Sequence, residues 1–526
     1  MTKYIVLGIN ATLTSDLLKP TRKGLDAMPA YTMRTQRGNP RRTKIVCTLG
    51  PASRSEERIA HLIDAGMNVA RINCSHGSHD EHRETYARLR SVAAEMGRSL
   101  AILFDLSGPK IRVGAFDEAG IELKRGSRLT FVEGDGEGTV DAMTSTYPAL
   151  ITDLEVGDEV YLDDGNLRLR VAEKTESSAI CVVEVGGLLK PRKGINLPGS
   201  RVSAPALTEK DEADLELAAE LGADFVALSF VREAEHVNEL RERLKLLNSN
   251  AQIVSKIEKP QAIENLEAII EASDAVMVAR GDLGVELPVE RVPGVQRQII
   301  RSAARHLKPV IVATQMMESM INSPRPTRAE VSDVANAIHD GCDAVMLSAE
   351  TASGSYPIET VRTVSEVAID TERLMIEERA NAPMTVSAHG DPYRQAIVSG
   401  AEHIAATLHA KFIVVRSESG LTARYLSKLR GICPIIAANP DSTVLRRHAL
   451  LWGVIPVKTA ERDNEIPSMD VELAHLAREL FRLGLGMPHD KMVVVSHFPW
   501  GEQRPPNSIR AIRIGDAIDQ LRDPEY

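Results

Sequence analysis

Lys256 ends the apolar run Ile253-Val254-Ser255 and Glu258 follows two positions later, which in an extended strand turns both side chains to one face. Asp282 lies in Ala279-Arg280-Gly281-Asp282-Leu283-Gly284, whose glycines let a ligand come close to the backbone. Arg71, Asn73, Ser75, Asp105, Ser229, Thr314, Ser348 and Glu350 also follow short aliphatic runs. Each has a plain reading alone: a solvated lysine or a Lys256–Glu258 ion pair, a helix-capping Asp282, a capping hydroxyl at Thr314. As a set they carry a chemistry. Glu258 and Asp282 suit Mg²⁺, a hard ion that keeps waters and takes one or two carboxylates plus substrate phosphate. Arg71, Arg112 and Lys256 suit an anionic, phosphorylated substrate, and the set fits phosphoryl transfer, where positioning and charge neutralisation do most of the work.

These residues are scattered from 71 to 350, so a fold must gather them. Aliphatic runs at 44–48, 67–73, 100–105, 224–229, 251–256, 274–279, 309–313 and 343–347 lack the polar alternation of half-exposed strands and read as strands buried on both faces. Helical patterns separate them, with capping pairs at Thr208/Asp211 and, after Pro324 and Pro326, at Thr327/Glu330. Eight such units predict an α/β fold, a closed (β/α)8 TIM barrel, which brings every strand's carboxyl end to one face. About a hundred residues interrupt the repeat after the third strand, with strand-like runs at 128–132, 159–162, 167–171 and 179–185 and a turn at Asp163-Asp164-Gly165-Asn166. This predicts an inserted all-β lid domain over the site. Runs at 411–415, 434–438, 454–457 and 491–496, with helices at 422–429 and 471–483, predict a C-terminal open α/β domain. The expected division is 41–107 plus 206–378 for the barrel, 108–205 for the lid and 379–526 for the C-terminal domain.

The chain has 526 residues and 63 basic against 73 acidic side chains, net −10, which gives no general attraction for nucleic acid or an anionic membrane. No apolar run approaches the roughly 20 residues that span a bilayer. The five cysteines, Cys47, Cys74, Cys181, Cys342 and Cys433, form no CxxC pair, which argues against a disulfide framework or zinc site and fits a reducing cytoplasm. Residues 1–40 read as a disordered extension; the alternative is an organelle transit peptide over 1–32, and Met33 is a second candidate start.

Thr43-Lys44-Ile45-Val46-Cys47-Thr48-Leu49-Gly50-Pro51-Ala52-Ser53, Met67-Asn68-Val69-Ala70-Arg71-Ile72-Asn73-Cys74-Ser75-His76-Gly77, Ser255-Lys256-Ile257-Glu258, Ala313-Thr314-Gln315-Met316-Met317-Glu318-Ser319-Met320 and Pro324-Arg325-Pro326-Thr327-Arg328-Ala329-Glu330 resemble the pyruvate kinase family. The resemblance implies the glycolytic conversion of phosphoenolpyruvate and ADP to pyruvate and ATP, in a homotetramer. By it, Glu258 and Asp282 would hold Mg²⁺ or Mn²⁺, and the Gly281 and Asp282 amides would meet the substrate carboxylate. Lys256 would neutralise the phosphoryl group in flight, Arg71 would hold the phosphate, and Thr314 would lie near the protonated enolate carbon, as donor or by ordering a water. Asn73, Ser75 and His76, with Arg112 and Lys193 from the lid side, would bind nucleotide.

Members of that family typically bind a monovalent cation through residues matching Asn73, Ser75, Asp105 and the Leu106 carbonyl, and potassium-dependent members usually have an acidic residue where this chain has Lys110. An ammonium there would replace the charge of K⁺, so the expectation is K⁺-independent activity; the plain alternative is a Lys110 in solvent. Cys74, where phenylalanine is commoner, is expected to affect packing only. The loop Arg416-Ser417-Glu418-Ser419-Gly420-Leu421-Thr422 resembles a phosphate-cradling effector loop, with Ser417, Ser419, Gly420 and Thr422 as candidate contacts for a sugar phosphate or nucleotide, although Glu418 would repel it. Ser496-His497-Phe498-Pro499-Trp500 departs from the small Gly/Pro/Ser-rich segment usual there. A carbon–carbon lyase on a similar barrel and a catalytically silent scaffold are the competing readings. The β insertion and Lys256 count against the first, and the complete polar set against the second.

Overall fold

The computed structural model describes residues 41–134, 136–200, 202–379, 390–416, 419–459, 469–498 and 504–519; the expectations for 1–40, Ser417, Glu418, Pro499 and Trp500 lie outside them. Eight strands, β1 Lys44–Thr48, β2 Val69–Asn73, β3 Ala101–Asp105, β4 Phe225–Leu228, β5 Gln252–Ile257, β6 Ala275–Ala279, β7 Val310–Ala313 and β8 Ala344–Leu347, pair in parallel with their sequence neighbours. The barrel closes where β8 pairs β1 in the register Lys44↔Ala344. Period-two alternation sorts each strand into two apolar sets. Val46, Val69, Leu103, Ala227, Val254, Met277 and Ile311 fill the interior. Their neighbours, such as Ile45, Ala70, Ile102, Val226 and Ile253, pack with the surrounding helices. Burial on both sides is why these runs carry no polar alternation.

Thr208 and Thr327 each form a capping box, with Asp211 and Glu330, opening helices Glu209–Leu221 and Arg328–Asp340; such caps contribute about 1 kcal/mol each. Between β3 and β4 lies an antiparallel sheet in the order Ile195–Asn196, Glu159–Leu162, Leu167–Lys174, Ser178–Val185, Arg128–Val132. It has its own core around Leu129, Phe131, Val160, Leu169 and Cys181. The short pair Ile121–Leu123 and Gly187–Leu189 was not legible in the sequence.

The C-terminal sheet runs Val454–Lys458, Ile435–Asn439, Phe412–Arg416, Lys491–Ser496 in parallel, and adds an antiparallel edge strand, Ser508–Arg513, absent from the sequence expectation. This domain seals the amino-terminal mouth of the barrel: the turn His448–Leu450 sends Ala449 and Leu450 into the interior apolar cluster. Around that plug, fully buried Asp343 meets Lys428 Nζ at 2.5 Å and Arg430 at 3.2 Å, and Lys44 Nζ donates to the Val454 carbonyl at 2.6 Å. Among the described residues no helix is long and apolar enough to cross a membrane.

Candidate active site

The strand register that lines the barrel with aliphatics continues two residues further into polar side chains: Val46 leads to Thr48, Val69 to Arg71, Leu103 to Asp105, Ala227 to Ser229 and Val254 to Lys256. The polar floor of the site is therefore the next inward layer above the core. Its centre is the Lys256 amine, which lies 2.9 Å from Glu258 Oε1, 2.8 Å from Ser229 Oγ and 3.5 Å from Asp105 Oδ1, with the lysine side chain 14% exposed. Lys256 is thus buried in a paired network rather than solvated. Burial pulls its pKa down, but Asp105, Glu258 and Asp282 outweigh that and leave it above the ordinary lysine range.

Arg71 Nε donates to Asp105 Oδ2 at 2.6 Å and Nη1 to Thr48 Oγ1 at 2.9 Å, leaving Nη2 with no partner among the described residues. Burial alone would raise the pKa of Asp105; Lys256 and Arg71 more than reverse this and hold it below the carboxylate norm. Glu258 Oε2 accepts the amide of Phe230, a residue in the left-handed region at φ 55°. Burial pushes the pKa of Glu258 up, Lys256 opposes this and Asp282 adds to it. Asp282 falls inside the short helix Arg280–Glu286 rather than at its cap, and its carboxylate has no hydrogen-bond partner among the described residues. Two hard carboxylates from neighbouring strand ends suit a divalent cation that takes its remaining ligands from substrate and water.

Thr314 is not a helix cap. It sits at φ 68° and Gln315 at φ 54°, a conformation that a β-branched residue adopts only when its surroundings impose it. Arg280 imposes it: Nη2 donates to the carbonyls of Thr314 at 2.7 Å and Gln315 at 3.1 Å, while Nη1 pairs with Asp333 at 2.6 Å. The Thr314 hydroxyl donates to Ala313 O and accepts the Gly281 amide at 2.8 Å, so that amide, expected to meet a substrate carboxylate, is engaged within the protein here. Arg280 stands inside the Ala279–Gly284 motif, where nothing local signals this task.

Asn73 pairs in register with Asp105, placing two of the expected monovalent-cation ligands side by side. Asn73 Oδ1 accepts the Ser75 amide at 3.2 Å, and the Leu106 carbonyl accepts Ser229 Oγ at 2.7 Å. Ser75 and His76 are exposed at the rim. Lys110 is exposed on the wall of a cleft between lid and barrel, which is also lined by Asp164, Asn196, Phe230, Lys259 and Asp282; among the described residues the cations that reach Asp105 are Arg71 and Lys256. On the lid, Arg112 Nη1 donates to Arg192 O at 3.1 Å and Lys193 pairs with Asp163 at 2.7 Å. Glu350 is bonded to the amides of Ser348 and Met317, a structural role. Cys74 is buried.

Barrel, lid and polar floor define a (β/α)8-barrel phosphotransferase. A family profile described as pyruvate kinase, barrel domain, matches residues 40–361, and one described as pyruvate kinase, alpha/beta domain, matches 395–512. A pyruvate kinase of Geobacillus stearothermophilus is 43% identical over 481 residues, covering 91% of this chain and 81% of the relative. Pyruvate kinases of Staphylococcus aureus strains MRSA252 and USA300 are 43% and 42% identical over 485 residues with the same coverage. The chain belongs to the pyruvate kinase family.

Proposed function

We propose that this chain transfers the phosphoryl group of phosphoenolpyruvate to ADP, giving pyruvate and ATP. The observation that carries this is the Lys256 amine, fixed between Glu258, Ser229 and Asp105 at the carboxyl ends of adjacent strands. An ammonium so held needs no reorganisation when charge shifts across the transferring group, which is where electrostatic preorganisation lowers a barrier most. In this reading Glu258 and Asp282 hold Mg²⁺ or Mn²⁺, which when bound supplies positive charge to the phosphoryl oxygens. Arg71 offers its remaining guanidinium nitrogen to the phosphate, Thr314 and Gly281 border the carbon end of the substrate, and Asn73, Ser75, His76, Arg112 and Lys193 border the nucleotide. The β domain acts as the lid that excludes water.

Lys110 takes the place of K⁺ in this reading. Its support is the residue type alone: Lys110 is exposed in a cleft that Asn73, Ser75 and Asp105 do not line. The C-terminal loop at Ser417, Ser419, Gly420 and Thr422 receives the phosphate of a sugar phosphate or nucleotide; Gly420 at φ 78° opens helix Leu421–Leu429, and Arg394 donates to Thr422 Oγ1 at 2.7 Å. The test is ADP-dependent pyruvate formation from phosphoenolpyruvate, run with and without divalent cation and in tetramethylammonium buffer with and without KCl. Activity that needs Mg²⁺ or Mn²⁺ and ignores KCl is expected. Absence of ADP-dependent pyruvate sinks the function, and strong KCl activation sinks the role of Lys110.

A further inference from the structure

The helix that carries Asp282 also carries Glu286, four residues on and therefore on the same helical face. The Glu286 side chain is 1% exposed, yet it is a meeting point of three separate segments. Its Oε1 accepts from Lys259 Nζ at 2.6 Å and from Asn196 Nδ2 at 3.0 Å, while Oε2 has no hydrogen-bond partner among the described residues. Lys259 immediately follows Glu258, and its amine also lies 5.8 Å from the centre of the Phe230 ring, the residue whose amide holds Glu258. Asn196 belongs to the lid: it ends the short edge strand Ile195–Asn196, paired to Tyr161 of the lid sheet.

We infer that Glu286 is a positioning residue that latches the lid to the helix bearing Asp282, so that seating of the lid and placement of the two metal-binding carboxylates are one event. The inference deepens the phosphotransferase reading and rests on it for its kinetic consequence. A carboxylate buried this deeply depends on every donor it has, because burial without hydrogen bonds is costly for a charged group. When the lid swings away, Asn196 leaves and Glu286 keeps Lys259 alone; when the lid seats, the amide returns and the helix is held from both sides. Ser200 and Ala204, the carbonyls at which Gln261 and Arg232 touch the lid connection, bond through backbone oxygen, so they give no side-chain dependence of this kind. Asn196 is the lid residue whose side chain reaches this carboxylate, and its replacement leaves the barrel's own pairs intact.

The test is a swapped pair. Asn196→Asp sets two carboxylates against each other across the lid junction and is expected to raise KM for ADP about tenfold or more, the loss of one charged hydrogen bond, with a smaller change in kcat. Combined with Glu286→Gln, the carboxylate sits on the lid and the amide on the helix with Lys259 between them, and KM is expected to return toward wild type. Hydrogen exchange of the substrate-free protein reads the lid without any reaction: Asn196→Asp speeds exchange at the hinges, taken as the two passages between barrel and lid at residues 107–108 and 205–206, and the double variant slows it again. If N196D leaves both KM and hinge exchange unchanged, or if the swap restores neither, the latch is wrong. Loss of the proposed reaction in wild type with the exchange pattern intact would sink the catalytic reading and leave the latch standing.

Discussion

Replacing Lys256 by methionine keeps the length of the side chain and removes its charge. The ammonium lies 2.9 Å from Glu258 and 3.5 Å from Asp105, so a phosphoryl oxygen in the same shell would sit at comparable range. Two unit charges about 4 Å apart at an effective dielectric near 20 interact by about 4 kcal/mol. If most of that develops only in the transition state, kcat falls about a thousandfold. Glu258 and Asp105 would then share one cation fewer, although Asp105 keeps Arg71 at 2.6 Å, and breaking a buried pair of this kind costs about 3–5 kcal/mol of stability. The assay therefore pairs turnover with a melting curve, at a temperature where the variant is folded. Thr314, Glu258 and Asp282 remain, so deuterium exchange into the methyl group of pyruvate in D₂O is expected to persist while pyruvate formation from phosphoenolpyruvate and ADP collapses. A folded Lys256→Met enzyme whose kcat stays within about tenfold of wild type would refute the electrostatic argument.

Thr314→Val removes the acceptor of the half-buried Gly281 amide and is expected to lower kcat/KM by about tenfold, the effect of one orphaned donor, whereas Thr314→Ser stays near wild type; equal activity of the two variants contradicts that role. His448, at the barrel plug, is pushed from 6.5 down to about 4 by burial first and then by Arg424 and Arg447. A folded value below the unfolded one means that the unfolded chain binds the extra proton, so stability is lost as pH falls from about 6.5 toward about 4, by at most about 3 kcal/mol. Urea denaturation of wild type and His448→Leu at pH values across that window should show a flatter profile for the variant; parallel profiles would count against the assignment.

All eight barrel strands lie within a residue or two of their expected positions, since a strand buried on both faces is aliphatic along most of its length and so announces itself without any partner. The polar residues that follow those runs were legible for the same reason: a charge directly after an aliphatic strand has few places to go except the open end of the barrel. Lys256, Glu258, Asp105 and Arg71 meet there at 2.6–3.5 Å. Edge strand Ser508–Arg513 was harder to see, being six residues of weak alternation after two prolines.

Other features were settled only by three-dimensional packing. Nothing local in Ala313-Thr314-Gln315 favours two successive left-handed residues; the conformation exists because Arg280, from another strand end, grips both carbonyls. Ala449 and Leu450 read as an ordinary apolar pair until a separate domain docks them into the base of the barrel. Glu286 and Asn196 are ninety positions apart and mean nothing to each other before the lid folds back over the helix that carries Asp282. Composition and periodicity decide which face of a strand is buried, because that is a property of the strand itself. Which distant groups share a hydrogen bond depends on how whole domains come to rest on one another, and that is written in no single segment.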